Sequence, residues 1–179
     1  SEIVDQKLTL DPQDWSAMRK LGHQMIDDMM DYLQNIGNEP VWREISTEAK
    51  QFLKEPFPQK ATDIEKVYEE FKQYILPYTK GNIHPRYFAW VEGTGTAFGV
   101  LSEMLAAAMN PNVTNGEHSA MYVDRQVIEW CKQMMNYPVT ASGILLSGAS
   151  MAIITALAVA RNHQSGRNIR KEGLKTVDG

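Results

Sequence analysis

Near the start of the chain, apolar residues recur at alternating spacings of three and four, the pattern of one face of an α-helix. Asp11 followed by Pro12 supplies an N-cap acceptor and a proline at the first helical position, so a helix is predicted over residues 11–36. Its opposite face is charged. The apolar stripe consists of Trp15, Met18, Met25, Met29 and Ile36, with Gly22 in the skipped place.

Further helices are predicted from their apolar periodicity and their end signals. Residues 37–58 contain three prolines and are predicted to be irregular. Thr62 and Glu65 form a capping box in front of a second helix, which Pro77 ends. Two more helices are predicted over residues 97–109 and 120–135, separated by Asn110-Pro111-Asn112.

The last unit of the pattern is a short apolar run, a turn of small residues and a helix. The run over residues 143–146 predicts a strand, residues 147–150 a tight turn and residues 151–161 a helix. A single strand cannot satisfy its own backbone hydrogen bonds, so it is expected to pair with strands that this sequence does not contain. The polar residues 171–179 fit a break inside a loop, and we expect the polypeptide to be truncated.

The small residues of the turn indicate a place for an anion. Backbone N–H groups at a helix start, together with a serine hydroxyl, hold phosphate groups in many proteins. Gly148 and Ala149 let an anion approach the backbone, and Ser150 can add a hydrogen bond. The alternative is an ordinary strand-to-helix turn with an N-cap serine. The turn has neither the lysine of a P-loop nor the glycine spacing of a dinucleotide fingerprint.

Composition narrows the classes of function. A 43% apolar content is enough for a buried core, and the net charge of −4 is spread along the chain, so no nucleic-acid or membrane surface is expected. The only cysteine, Cys131, excludes an intrachain disulfide and fits a reducing cytoplasm. No apolar run reaches the roughly 20 residues of a membrane span, and residues 1–10 do not resemble a signal peptide. His23, His118 and His163 are scattered and predict no metal site, and His84, before a proline in a loop, is interpreted as structural rather than catalytic.

Three segments, in this order and at these separations, resemble one enzyme family. They are His84-Pro85-Arg86-Tyr87-Phe88-Ala89, Asn110-Pro111-Asn112 and Leu146-Ser147-Gly148-Ala149-Ser150-Met151-Ala152. Together they resemble the N-terminal part of the group II pyridoxal-phosphate-dependent amino-acid decarboxylases, which include the aromatic-L-amino-acid, histidine and glutamate enzymes. The resemblance implies an α/β fold of the aspartate-aminotransferase-like type (fold type I), mostly helical in this part. Residues 1–80 would be a helical dimerisation arm, and residues 81–179 the start of the large cofactor domain.

The resemblance also implies which residues meet cofactor and substrate. Gly148, Ala149 and Ser150 occupy the turn that binds the phosphate of pyridoxal 5'-phosphate in the family. No catalytic residue is expected in this chain, because the family's Schiff-base lysine follows a histidine and the sequence contains no His-Lys pair. The given chain alone is therefore expected to be inactive.

Three positions before the turn match places that line the family's substrate pocket. Trp90 stands at the pocket-lining position, and Asn112 matches an asparagine that reaches the neighbouring subunit's site. In the family, a threonine nine residues after the histidine reaches the cofactor phosphate of the partner subunit. That position is Gly93 in this chain, and Thr94, one place later, is the candidate. Thr114 replaces an aromatic residue of the glutamate enzymes. Without the resemblance, Trp90 would be an ordinary core or interface aromatic and the asparagines turn residues.

The function implied is decarboxylation of an L-amino acid in the cytoplasm by a homodimer with its site at the subunit interface. An indole at position 90 favours a planar aromatic substrate over an acidic one, which would be desolvated without a cationic partner. The wide apolar stripe of the first helix has no partner in its own chain and favours the dimer. Two alternatives are another fold-type-I reaction, either transamination or carbon–carbon lyase chemistry, and a non-catalytic helical interaction module.

Overall fold

A computed structural model describes residues 11–114 and 116–173 of the chain. The expectations for residues 1–10 and for the end of the polar tail, 174–179, lie outside the described residues. The chain divides into two compact units, residues 1–109 and 110–179. The expected division of the complete enzyme at residue 80 stays a prediction. The helices are α1 Trp15–Asn35, α2 Thr47–Phe52, α3 Ile64–Tyr74, α4 Ala97–Met109, α5 Ser119–Met134, α6 Ala149–Gln164 and α7 Ile169–Glu172.

Helix α1 begins one turn later than predicted. The side chain of Asp14, not Asp11, caps it by accepting hydrogen bonds from Ser16 N (2.8 Å) and Ala17 N (3.1 Å). These two bonds satisfy amides that have no partner inside the helix, which is why Asp14 sets the start. The helix ends at Asn35 as expected, and a short 3₁₀ turn, Ile36–Asn38, follows it.

Helix α2 lies in a stretch that was predicted to be irregular, and this prediction was wrong. Ser46 caps it by accepting from Ala49 N at 3.1 Å, and Ala49 is fully buried. The ring of Phe52 stacks on Tyr74 of α3 at 4.3 Å between centroids, and Tyr74 donates to Glu48 at 3.0 Å. Six residues are too few to show helical periodicity in a sequence, so packing on α3 stabilises a helix that the pattern does not reveal.

Helix α3 is held to α1 by a cluster of polar side chains around a buried ring. Tyr68, 5% exposed, donates its hydroxyl to Asp28 at 2.8 Å. Lys72 lies 3.5 Å from the same carboxylate, 2.8 Å from Glu69, and over the Tyr68 ring. The predicted capping box of Thr62 is wrong, because Asp63 is the N-cap residue and its side chain makes no capping bond. The 3₁₀ turn Leu76–Tyr78 ends this segment at the predicted proline.

In the second unit, the helices agree with prediction and the strand does not. Helices α5 and α6 match the predicted ranges to within three residues at each end, as α4 does in the first unit; α7, in the polar tail, was not predicted. Neither described range, 11–114 or 116–173, contains a β-strand, and residues 143–146 have no regular structure. The strand prediction was wrong for this chain because no neighbouring strand is there to complete a hydrogen-bonded ladder.

The Tyr68 cluster predicts a loss of stability at alkaline pH. Burial, and then the hydrogen bond to Asp28, raise the pKa of Tyr68 to about 12. A phenol whose pKa is raised by folding contributes stability below pH 10, and this is lost as pH rises from about 10 to about 12. Tyr68→Phe should lower the free energy of unfolding of the complete protein at neutral pH by about 1.5–3 kcal/mol. The free energy of unfolding of Tyr68→Phe should also decrease less than that of the wild type as the pH rises from about 10 to about 12.

The measurement is urea unfolding of both proteins over a series of pH values. Tyr122→Phe is the matched control, since Tyr122 donates to Glu117 at 2.8 Å on an exposed surface. It should change stability by less than about 1 kcal/mol. An alkaline decline of equal size in wild type and Tyr68→Phe would assign the effect to another group.

Candidate functional site

The start of helix α6 presents unpaired backbone donors to solvent. Gly148 is the N-cap residue and offers no side-chain cap, and the first bond of the helix runs from Ala152 N to Gly148 O at 3.0 Å. The amides of the first turn therefore have no partner within the helix. All residues from 147 to 150 are exposed. A serine that caps the helix, the alternative explanation of this turn, is not observed.

The turn has room for an anion as well as donors. A Cβ added at Gly148 would meet no atom within 4 Å, so the space in front of the backbone is open. The positive end of the helix dipole and the Ser150 hydroxyl favour a negatively charged group there. The structure thus brings Gly148, Ala149 and Ser150 together on one exposed turn. Their role in phosphate binding stays a prediction.

A buried lysine fixes the segment that leads into the turn. Lys132, 8% exposed, donates to both carboxylate oxygens of Glu129 (2.8 and 2.9 Å) and to Val139 O at 3.1 Å. A Cβ at Gly143 would lie 3.1 Å from Ile128 Cγ2, a tight contact, so the segment passes close to α5 at this glycine. The segment before the turn is therefore held on α5 without a β-ladder.

Asn112 is the centre of a tight turn. Its Oδ1 accepts from Thr114 N at 2.9 Å and from Thr114 Oγ1 at 2.6 Å, and its carbonyl oxygen contacts His118 Nε2 at 2.9 Å. A backbone N–H can only donate, so the atom facing Thr114 is the oxygen and the outward atom is the amide nitrogen. The turn explanation of Asn112 is confirmed. Its exposed NH₂ group is the part that can reach another molecule.

Trp90 lies on a closed loop of the first unit. This Trp90 loop, residues 81–93, is joined at its base by the bond from Asn82 Nδ2 to Gly93 O at 3.0 Å. Lys80 pairs with Glu92 beside it, and the hydrogen bond that Lys80 Nζ donates to the Glu92 carboxylate is the main cause that raises the pKa of Lys80. Trp90 is 72% exposed, so it is not a core aromatic of its own unit. Thr94, also exposed, follows the loop directly.

His84, which the sequence predicts to be structural, lies in the same loop. It is buried, in contact with the carbonyl oxygen of Glu39 through Nε2 (2.9 Å) and with Arg86 N through Nδ1 (3.0 Å). Only the motif His84-Pro85-Arg86 pointed to it, because its partner at Glu39 is 45 residues away.

The predicted site residues therefore fall into two groups. Trp90 and Thr94 belong to the first unit, and Asn112 with the turn at residues 147–150 belongs to the second. No cluster of three or more His, Cys, Asp or Glu side chains able to hold a metal occurs among residues 11–114 and 116–173. In the same ranges, no helix has the length and apolar character needed to cross a membrane.

Comparisons with known proteins give the class of the chain. Residues 47–178 match the model of the pyridoxal-dependent decarboxylase conserved domain. The aromatic-L-amino-acid decarboxylase of Bacillus atrophaeus is 29% identical over 155 residues, covering 85% of this chain and 32% of that protein. The chain thus spans about a third of the length of this curated relative.

Two solved structures share the fold. The tryptophan decarboxylase of Catharanthus roseus, in complex with L-tryptophan, matches with a TM-score of 0.75 at 22% identity, covering 91% of this chain and 36% of that one. The Oryza sativa enzyme with pyridoxal phosphate and tryptamine matches with a TM-score of 0.72, also at 22% identity, over 96% and 36%. The predicted fold class, the mostly helical N-terminal part of a fold-type-I α/β enzyme, is confirmed.

The helical architecture is that of the N-terminal part of a fold-type-I α/β enzyme. The chain belongs to the pyridoxal-dependent decarboxylase family, because the family model covers well over half of its length. Pyridoxal phosphate is the cofactor of that family, as predicted. The exposed amides, the open space at Gly148 and the Ser150 hydroxyl fit its phosphate group.

The open turn predicts a measurable contribution of Ser150 to cofactor affinity. In the complete protein, Ser150→Ala should weaken binding of pyridoxal phosphate by about 1–3 kcal/mol, because a hydrogen bond to a doubly charged group is lost. Titration of the apoprotein, followed by cofactor absorbance, measures the change. Ser102→Ala is the control, since that hydroxyl bonds back to Phe98 O on the exposed helix α4. Equal affinity of wild type and Ser150→Ala would remove Ser150 from the site.

Proposed function

We propose that the protein carrying this chain removes the α-carboxyl group of an aromatic L-amino acid as carbon dioxide, with pyridoxal phosphate as cofactor. The observation that supports the proposal is the open, exposed turn at residues 147–150, whose amides have no side-chain cap, in a chain of this family. The bound cofactor supplies an electron sink for the pair released when the bond to the carboxylate breaks.

In this proposal, residues of this chain hold the cofactor and orient the substrate. The amides of Ala149 and Ser150 and the Ser150 hydroxyl hold the phosphate, which fixes one end of the cofactor ring. Trp90 offers a flat apolar wall, and an aromatic substrate ring gains stacking and area burial against it. An acidic side chain would be desolvated against the indole, which is why the proposal favours aromatic substrates.

We also propose that this chain by itself is inactive. The one described lysine that is buried, Lys132, donates to Glu129 and to Val139 O and is not free to bind the cofactor. No lysine in the sequence follows a histidine, as the family's cofactor lysine does. The groups that complete the reaction are proposed to come from the remaining two thirds of a protein of its relatives' length.

The assembly is proposed to be a cytoplasmic homodimer with the site at the subunit interface. Support comes from the apolar stripe of α1, whose Trp15 and Met25 are exposed within the described chain. Apolar surface of this kind favours a protein partner over water. Asn112 and Thr94 would then serve the neighbouring subunit's site.

The substrate proposal predicts a ranking of activities. The kcat/KM values of the complete enzyme for tryptophan, tyrosine and dihydroxyphenylalanine should exceed those for histidine, glutamate and aspartate. Trp90→Ala should lower the aromatic values by about tenfold or more, because a stacking wall is lost. Carbon dioxide release is the measurement, which also separates decarboxylation from transamination.

Trp130→Ala is the control for the substrate ranking, since that indole lies on helix α5 and outside the Trp90 loop. A ranking led by glutamate or aspartate, or one that Trp90→Ala leaves untouched, would contradict the proposed pocket.

The dimer proposal predicts a shift in mass. Met25→Asp places a charge on the apolar stripe of α1, and burying it against a partner would cost several kcal/mol. The variant should sediment as a monomer or aggregate, whereas Asp27→Ala, on the charged face, should keep the wild-type mass. A stable dimer of Met25→Asp with full activity would show that the stripe is not the interface.

A further inference from the structure

His84 is the most buried titratable side chain among the described residues, at 4% exposure, and both of its ring nitrogens are engaged. Arg86 N is a backbone donor, so the Nδ1 it approaches at 3.0 Å must be the bare acceptor nitrogen. The hydrogen of the ring is then on Nε2, which donates to Glu39 O at 2.9 Å. The two backbone contacts thus select the neutral Nε2–H form of the imidazole.

The two bonds differ in reach. The bond from Arg86 N is local, two residues along the chain, and orients the ring. The bond to Glu39 O spans 45 residues and joins the Trp90 loop to the segment that follows helix α1. This second bond is therefore the one that places the loop.

Two other contacts join the Trp90 loop to the segment of residues 37–41. Gly81, at φ +84°, lies so close to the carbonyl of Val41 that no side chain fits there, and Arg86 donates to Gly37 O at 3.5 Å. Contacts 81–41, 84–39 and 86–37 show that the base of the loop runs antiparallel to residues 37–41. Of these three contacts, only that of His84 is a short, buried hydrogen bond.

Trp90 depends on these anchors. With 72% of its surface exposed, it makes too little contact within its own unit to fix its position. The bond between Asn82 and Gly93 closes the loop but does not tie it to any other element. The position of the indole is thus set by the loop, and that of the loop by its contact with residues 37–41.

We propose that His84 is a positioning residue, which sets the pocket wall formed by Trp90 by tying its loop to the backbone of Glu39. This inference rests on the proposed function, because it takes Trp90 as the wall of the substrate pocket. His84 itself touches neither substrate nor cofactor. It acts through the loop, and its effect should appear in substrate binding before it appears in the chemical step.

Two conservative variants separate the two bonds. The amide nitrogen of glutamine takes the place of Nε2, so His84→Gln can keep the bond to Glu39 O. The oxygen of asparagine takes the place of Nδ1, so His84→Asn keeps only the local bond from Arg86 N. His84→Ala loses both. His163→Gln, an exposed histidine in the last turn of α6, is the matched control.

Steady-state kinetics of the complete, cofactor-loaded enzyme with the preferred aromatic substrate test the proposal. His84→Ala and His84→Asn should raise KM roughly tenfold, as expected for one lost hydrogen bond, with kcat and cofactor affinity unchanged. His84→Gln should stay near the wild-type KM. Rescue by asparagine and not by glutamine, or a loss of kcat and cofactor affinity in place of a rise in KM, would overturn the assignment.

Combining each variant with Trp90→Ala shows whether His84 acts through the indole. In that background the His84→Ala effect on KM should vanish, because no wall is left to position. Additive effects would make His84 a purely structural residue, as would loss of the folded protein in every His84 variant. If the wild-type enzyme releases no carbon dioxide from aromatic substrates, the proposed function fails instead, which is a distinct result.

Discussion

The first unit depends on a close backbone approach between two segments far apart in sequence. Gly81 lies directly on the carbonyl of Val41, and the chain on either side follows the antiparallel alignment that this contact begins. A side chain at position 81 would force the segments apart, and the positive φ there also favours glycine. The buried ring of His84 lies on the same alignment, with Nε2 donating to Glu39 O.

In the second unit, the segment that leads to helix α6 is held in place without a β-sheet. Lys132 does this with three hydrogen bonds from one buried ammonium group. A buried ammonium group destabilises the folded state unless an opposite charge pairs with it, and Glu129 supplies that charge one turn away. The segment that leads into the turn before α6 is therefore fixed in place, although the amides at the start of the helix are open to solvent. A phosphate site needs both features, a fixed backbone and donors that nothing else uses.

Much of the helical architecture could be predicted from the sequence, because the pattern records which face of a helix is apolar. Helix α4 was placed over its observed residues by its alanines and methionines and by the break at Asn110. The start of α1 could not be fixed by pattern alone, since Asp11 and Asp14 are both sound N-cap residues and only the fold selects between them. Helix α2 depends on stacking between Phe52 and Tyr74, a contact that no local signal announces.

The candidate site also combines features that the sequence predicts with features that it does not. The Ser147–Ser150 turn could be predicted as a candidate phosphate site, because phosphate binding at a helix start uses consecutive small residues, which a sequence displays. The anchors of the Trp90 loop were not found, because their partners lie 45 and 49 residues away and are backbone atoms, which any residue type supplies. The strand prediction for residues 143–146 was wrong for a related reason. A β-strand needs a second segment to pair with, and the described chain supplies no partner.

The exposed faces of α4 and α6 have a consequence for synthesis. Phe98, Leu105, Ile153 and Leu157 are more than half exposed within their own units. On a ribosome adding about 5–20 residues per second, a polypeptide of the relatives' length would display these faces for tens of seconds before its later parts emerged. Exposed apolar surface of this kind favours contact with another protein over contact with water. Slower translation would lengthen the interval in which these faces are exposed.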